Sequence, residues 1–235
     1  MTQTIKAWSF NRLLQFEACP HRSFLDIIQK APTPDYDATH PMVRGRMIHT
    51  EVEEYITGKT DKFPSTGKKL KALLTECQTM IQKGQGTAEE QWAFTENWDR
   101  VGWYDETVWV RMATDVFLSY SDDAAAIIDW KTGKSFGNEV KYMQQMQLYA
   151  VGAFMLYPKL EYIDVTLGFL DDGKERTKPF ERGDKINKLL LRFTERARKM
   201  TTAVDFRPKP SAMNCKYCPF GPTGTKACIY GVEPL

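Results

Sequence analysis

The sequence predicts an α/β fold with a central mixed sheet, on three observations. Residues 88–97, 106–120 and 124–131 are consecutive stretches rich in aromatic and β-branched residues. Residues 138–157 then form a long amphipathic stretch of helical character. Residues 161–170 return to strand character before a final helical stretch, 183–200. Helices, three strands, a helix, a strand and a helix make an α/β order.

The elements follow in turn. Ser9 suits the cap of a helix over 10–17, which Pro20 kinks before it continues to Lys30. Three prolines and the aspartates of "APTPDYDATHP" (31–41) mark a loop. A helix is expected from Val43 to Thr57, stopped by Gly58, and a lysine-rich one over 67–83. After the three strands, the helix over 138–157 ends at Pro158. "DDGK" is a turn that pairs the fourth strand with residues 175–180 as a hairpin. From 206 onward the tail is loop, rich in proline and cysteine. The chain reads as one domain, residues 1–235. Its core is 41–202, and residues 1–40 and 203–235 are set apart from that core.

Composition narrows the function. With 42% hydrophobic and 26% charged residues, the 235-residue chain is ordinary for a globular protein. A net charge of +2 does not announce a nucleic-acid binder, so such a site must be a local patch. The longest apolar run, "YAVGAFMLY" (149–157), is far short of the ~20 residues of a membrane span. The start, "MTQTIKAWSF", lacks the apolar core of a signal peptide. A soluble, cytoplasmic protein is expected, with five cysteines that are free, catalytic or metal-bound rather than disulfide-bonded.

The chemistry concentrates in "IIDWKTGK" (127–134). Strand alternation puts Asp129 and Lys131 on one face and Trp130 on the other. A buried strand that ends in a carboxylate and an ammonium desolvates both, which is costly unless they are paired or metal-bound. A strand-end salt bridge explains them equally well. Asp115, in the preceding strand, is placed by a short turn to lie beside Asp129. Two carboxylates in an apolar setting repel unless a divalent cation separates them, and such oxygen ligands suit Mg²⁺ or Mn²⁺. A bend or bulge is the plainer reading of Asp115. His49 and Glu53 share a helix face, as do Gln145 and Tyr149, each pair four residues apart. Ordinary packing explains either pair alone.

In this order, the motifs resemble the PD-(D/E)XK nuclease superfamily, and within it the RecB-type exonucleases. These include the CRISPR-associated RecB-like exonucleases and the nuclease domain of AddB. "GRMIHTEVE", "ATDVFL", "IIDWKTGK" and "QMQLYA" look like the family's helix histidine, strand aspartate, D-x-K strand and Q-x-x-x-Y helix. "WSFNRLLQFEACPHRSFL" is similar to the family's opening segment. "MATD" departs from it, because a glycine is usual ahead of the aspartate. The family's acidic residue on the first strand corresponds to Glu89 or Glu90.

The resemblance implies a restriction-endonuclease-like core and metal-dependent hydrolysis of DNA phosphodiester bonds, in recombination, repair or end processing. It implies that His49, Asp115, Asp129 and the Trp130 carbonyl hold Mg²⁺ or Mn²⁺, which activates a water. Lys131 then orients or deprotonates that water, while Gln145 and Tyr149 position the strand. The implied partner is DNA, as single strands or duplex ends, with a recombination or repair protein as a further partner, in a bacterium or its virus. An endonuclease of the same superfamily and a catalytically idle DNA-binding or assembly module are the rival readings. For DNA contact the candidates are "KERTK" (174–178) with Arg182 and Lys185, and "RFTERARK" (192–199), although such runs are usually solvated faces. Trp98, Trp103 and Tyr104 are candidates to stack on bases, whereas Trp92 suits the core.

Cys215 and Cys218 form C-x₂-C, followed by Cys228, on a loop too polar for a core. That spacing serves zinc and iron–sulfur clusters alike. In the families named, one cysteine ahead of the core and three after it hold a [4Fe-4S] cluster, and Cys19, Cys215, Cys218 and Cys228 match that layout. The resemblance thus implies that residues 1–40 and 203–235 form one cysteine lobe. Structural Zn²⁺ stays open, because the last gap is longer than the family's. Cys77 falls within a helix and fits no pattern.

Overall fold

A kinked helical segment opens the chain. In this computed structural model, which describes residues 4–133 and 135–233, α1 (Phe10–Ala18) stops at the junction with Pro20. α2 (Pro20–Ser23) takes that proline into its first turn, where no amide is needed, and runs on as a π-helical turn, Phe24–Ile28. α3 (Pro41–Ile56) also begins on a proline, and α4 (Lys71–Gln82) packs beside it. Then come β1 (Gly86–Phe94), β2 (Arg100–Val101), β3 (Val110–Ser119) and β4 (Ala124–Lys131). α5 (Glu139–Leu156) leads to β5 (Tyr162–Phe169), β6 (Lys174–Glu181), α6 (Asp184–Thr201) and α7 (Ala212–Lys216).

The strands form one six-stranded sheet in the order β2-β1-β3-β4-β5-β6. β4 and β5 are parallel and every other pair is antiparallel, so the sheet is mixed as expected. A parallel pair needs a crossover, and α5 supplies it. Close approach of α5 to the sheet depends on Gly152: a Cβ there would meet Met112 Sδ at 2.7 Å.

Three local details depart from the sequence expectations. The first strand ends at Phe94, because a turn over Thr95–Asp99 follows, with Trp98 at φ +66°. The stretch 106–120 becomes strand only at Val110, because the Asp105 carboxylate accepts bonds from the Thr107 amide (2.8 Å) and hydroxyl (2.6 Å) and closes a turn first. The tail holds a short helix, α7, capped by Ser211. The two-residue β2 had no sequence signal. Lys134, the end of "DWKTGK", lies outside the described residues.

Two apolar layers cover the sheet. On one face Leu13 of α1, Phe154 of α5 and Phe193 of α6 pack with Trp8, Trp92 and Phe94. On the other, Val52 and Ile56 of α3 and Leu74 and Cys77 of α4 meet Val116, Leu118, Ile128 and Trp130. Cys77 is thus a core thiol, and burial pushes its pKa up to about 12. A third, small cluster of Leu25, Cys218 and Phe220 joins the N-terminal helical segment to the tail. No helix among the described residues is long and apolar enough to cross a membrane.

Candidate active site

Pairing between β3 and β4 fails at one place, and the candidate site fills the gap. The ladder runs from Ser119↔Ala125 to Val116↔Ile128 and no further. Beyond it the Trp130 amide donates to Asp115 Oδ2 at 2.6 Å, so a carboxylate replaces the missing carbonyl. Across β3, Glu89 on β1 has φ +53°, a left-handed conformation rare outside glycine. The strands also change face here. Met112 lies in one apolar layer, yet Val116 and Leu118, at even spacing from it, lie in the other. Such a switch is what a kink or bulge produces, and bulges recur beside active sites. Asp115 thus marks a bend in the strand, and the bend brings it beside His49 and Glu89.

The first half of the site lies between β4 and α5 and is closed on itself. As alternation required, Asp129 and Lys131 face α5 while Trp130 packs in the opposite layer. Gln145 holds the centre. Its carbonyl accepts from Lys131 Nζ at 2.9 Å, and its amide donates to Asp129 Oδ1 at 3.2 Å and to the Tyr149 hydroxyl at 3.0 Å. The single Tyr149 proton is shared between Asp129 Oδ1 (2.9 Å) and the Ala113 carbonyl (3.0 Å). Lys131 Nζ lies 2.5 Å from Asp129 Oδ2, an ion pair by distance that is not aligned as a hydrogen bond. Lys131 also lies 5.8 Å from the Tyr142 ring centre. Burial raises the pKa of Asp129, and the charge of Asp115 adds to that against the pull of Lys131. Tyr149 is pushed well above its ordinary value by burial and by Asp129, so it stays a donor.

The second half is open. α3 is docked by Arg44, which pairs with Asp171 in the β5–β6 turn (2.7 Å) and donates to the Thr132 carbonyl just after β4 (3.4 Å). That docking presents His49, whose Nδ1 lies 3.4 Å from Asp115 Oδ1. His49, Glu89 and Asp115 each offer a ligand atom within 4.8 Å of the others. Burial lowers the pKa of His49, but the bond to Asp115 and the charges of Asp115 and Asp129 outweigh it and leave it raised. Glu89 is raised by desolvation, then by the nearby carboxylates of Asp115, Glu53 and Asp129. One imidazole and two repelling carboxylates form a donor set that fits a hard divalent cation.

Of the two acidic candidates on the first strand, Glu89 is the one that lies beside His49 and Asp115. Glu90 points elsewhere and accepts from Thr87 (3.0 Å) and Tyr157 (3.2 Å). Asp129 stands beside the ligand cluster rather than within it, with its carboxylate engaged by Lys131, Gln145 and Tyr149. Glu53, on the same helix face as His49, is paired with Lys59 at 2.7 Å.

Trp98 is not available to stack on bases. It is 3% exposed, packs edge-on against Trp8 and Trp109, and donates to Thr194 at 2.8 Å. Trp92 is core, as expected, while Tyr104 is exposed and Trp103 half-buried. Of the basic candidates, Arg182 is tied to the carbonyls of Phe154, Tyr157 and Leu160. Arg196 and Arg198 pair with Glu17 and Glu96. These three arginines hold the fold together.

Cys19, Cys215, Cys218 and Cys228 line one small pocket between the α1–α2 junction and the tail. The Lys209 amide donates to Cys19 Sγ at 3.4 Å, and the Asn214 side chain donates to the Ala18 carbonyl at 3.0 Å.

A family model described as the PD-(D/E)XK nuclease superfamily matches residues 7–223. No curated protein matches the chain. Among solved structures, the chain is similar to the protein SSO0001 at 12% identity, covering 99% of this chain and 91% of that one, with a TM-score of 0.47. It is also similar to an alkaline exonuclease from Laribacter hongkongensis (12% identity, 82% and 88% covered, TM-score 0.37). A phage-related exonuclease from Haemophilus somnus is similar at 11% identity, with 85% and 94% covered and a TM-score of 0.33.

Proposed function

The chain belongs to the PD-(D/E)XK nuclease superfamily, and from that premise we propose that it is a divalent-cation-dependent deoxyribonuclease that degrades DNA from its ends. The observation that carries this reading is the juxtaposition of a three-residue ligand set, His49, Glu89 and Asp115, with the buried Asp129–Lys131–Gln145–Tyr149 network. In this reading the three residues hold Mg²⁺ or Mn²⁺, with Asp129 and the Trp130 carbonyl as the further ligands the family resemblance implies. When bound, the cation supplies Lewis-acid stabilisation of the phosphate and a nucleophilic water at neutral pH. Lys131 orients that water and offsets the charge that develops on the scissile phosphate. Gln145 aims the Lys131 ammonium, and Tyr149 keeps Asp129 ionised and in place. The biological setting proposed is recombination, repair or end processing.

A [4Fe-4S] cluster, or structural Zn²⁺ as the alternative, is part of this proposal, held by the four cysteines that line one pocket and stapling the N-terminal segment to the tail. Broad visible absorbance after anaerobic purification supports the cluster, and stoichiometric zinc in a colourless protein refutes it.

Pure protein incubated with Mg²⁺ or Mn²⁺ tests the activity directly. End-labelled linear DNA is expected to be degraded while covalently closed circles stay intact. Cutting of the circles transfers the site to an endonuclease, and no cleavage of any DNA removes the nuclease reading.

A further inference from the structure

A second cavity shares a wall with the candidate site and has a charge character of its own. Its volume is about 370 Å³, and Gln145 and Tyr149 line it on the catalytic side. The remaining walls come from the start of α1, from Trp103 and from the first half of β3, and none of the lining residues is acidic. Ala113, in the lining, is two residues from Asp115 on β3, and Arg111 is four. At ~3.3 Å per residue these positions lie roughly 7 Å and 13 Å from the ligand cluster along the strand.

The donors around this cavity are only partly paired. Neither Arg12 nor Arg111 forms an ion pair among the described residues. Arg12 makes one long bond, 3.4 Å, to the Ala7 carbonyl. Arg111 donates to the Trp103 carbonyl at 2.8 Å, and its guanidinium lies 5.6 Å from the centre of the Trp103 ring, which holds the planar fork in place. The Trp8 indole, 1% exposed, leaves its buried Nε1 without a hydrogen-bond partner. α1 begins here with no side-chain cap from Ser9 and no acidic residue in its first turn, so its positive end stays uncompensated. Two guanidiniums and an open helix start thus line a space without carboxylates, and the Trp8 ring forms part of the same wall.

We propose that this cavity is a phosphate subsite of the DNA track, held by Arg12, Arg111 and the start of α1, for a nucleotide beside the one being cut. The choice of DNA as the source of the phosphate rests on the nuclease reading, because the cavity shares Gln145 and Tyr149 with that site. The phosphate is either the terminal phosphomonoester of a strand end or an internal phosphodiester. Neither Arg12 nor Arg111 belongs to a motif of the catalytic network.

The test is DNA binding across a salt series, without divalent cations so that no strand is cut. It uses internally labelled oligonucleotides that carry a 5′-phosphate, a 3′-phosphate or hydroxyl ends. Arg12→Gln and Arg111→Gln are each expected to weaken binding at low salt and to flatten the log–log salt slope by about 0.7–0.9, the loss of one phosphate contact. Arg111→Lys restores most of the slope, which a purely structural role in holding Trp103 does not predict. If the variants also erase a preference for phosphorylated ends, the contact is terminal. If ends never matter while the slope falls, it is internal. Unchanged slopes in both glutamine variants overturn the proposal. Arg12 is exposed and weakly bonded, so Arg12→Gln decides the matter even if Arg111→Gln fails to fold. Because the readout is binding, a chain that binds in this way yet cleaves nothing loses the nuclease reading and keeps the subsite.

Discussion

The two halves of the candidate site are built on opposite principles. Asp129, Lys131, Gln145 and Tyr149 satisfy one another, are largely buried, and are held by rigid elements, a central strand and its crossover helix. His49, Glu89 and Asp115 are more exposed, come from three separate elements, and include two carboxylates whose charges oppose each other. The first half is largely satisfied in the protein alone, with Asp129 Oδ2 paired to Lys131 only by charge, whereas the second lowers its energy by taking up a positive charge. Under the proposed function the difference divides the tasks: the closed half mainly positions, and the open half supplies most of the cation ligands. A pKa pattern alone would not separate them, because Asp129 and Glu89 are both raised.

The largest expected effect comes from breaking each half in turn. Lys131→Ala should lower cation-dependent cleavage by about 10²–10⁴-fold, the usual range for a group that moves or orients a proton. The fold should survive, because Asp129 can take up a proton once its partner is gone. Asp115→Ala should lower cleavage at least as far, by removing the carboxylate at the centre of the open half. Single-turnover assays on both purified variants check this, and full activity in either removes the assignment.

Next in size is a packing change behind the closed half. A Cβ on Gly168 would meet the Trp130 ring at 2.7 Å, and Trp130 lies between Asp129 and Lys131. Gly168→Ala should cost about 1–3 kcal/mol by overpacking, read from urea unfolding.

Smaller effects probe the open half. The Glu89 carboxyl titrates above its ordinary 4.5 in the folded state. Its contribution to stability is therefore full below 4.5 and lost as pH rises through the raised value, so at pH 7 the ionised form is a cost. Glu89→Gln should raise the melting temperature of the cation-free protein at pH 7, by no more than about 2–4 °C, and shrink the further rise on adding Mn²⁺. An unchanged Mn²⁺ response contradicts the ligand set. The smallest signal expected is at Cys77, fully buried on the inner face of α4 with its pKa pushed up to about 12. Iodoacetamide at pH 8 should leave it unmodified in the native protein, because thiolate is scarce and access is closed. Rapid labelling would show that the layer behind α3 is loose, and that the open half owes its exposure to mobility rather than to chemistry.

Much of the closed half was legible because its geometry is local. Alternation along "IIDWK" set the faces of Asp129 and Lys131, and helical spacing set Gln145 over Tyr149. The open half was legible in identity but not in detail. Glu89 and Glu90 are indistinguishable as a sequence pair, and only the positive φ of Glu89, opposite the kink at Asp115, selects between them. That kink depends on register between strands, which short-range patterns do not encode. Trp98 read as a surface aromatic because its loop is polar, yet a turn folds it under the Trp8–Trp109 pair. Arg12 and Arg111 lie almost a hundred residues apart, so their common cavity exists only in the folded chain.

Mn²⁺ binding measured by electron paramagnetic resonance, on the wild type and three variants without DNA, tests the division of labour most directly. The account predicts binding to the wild type and to Lys131→Ala, and weak or no binding to Asp115→Ala and Glu89→Gln. Wild-type affinity in Asp115→Ala, or loss of binding in Lys131→Ala, would contradict it.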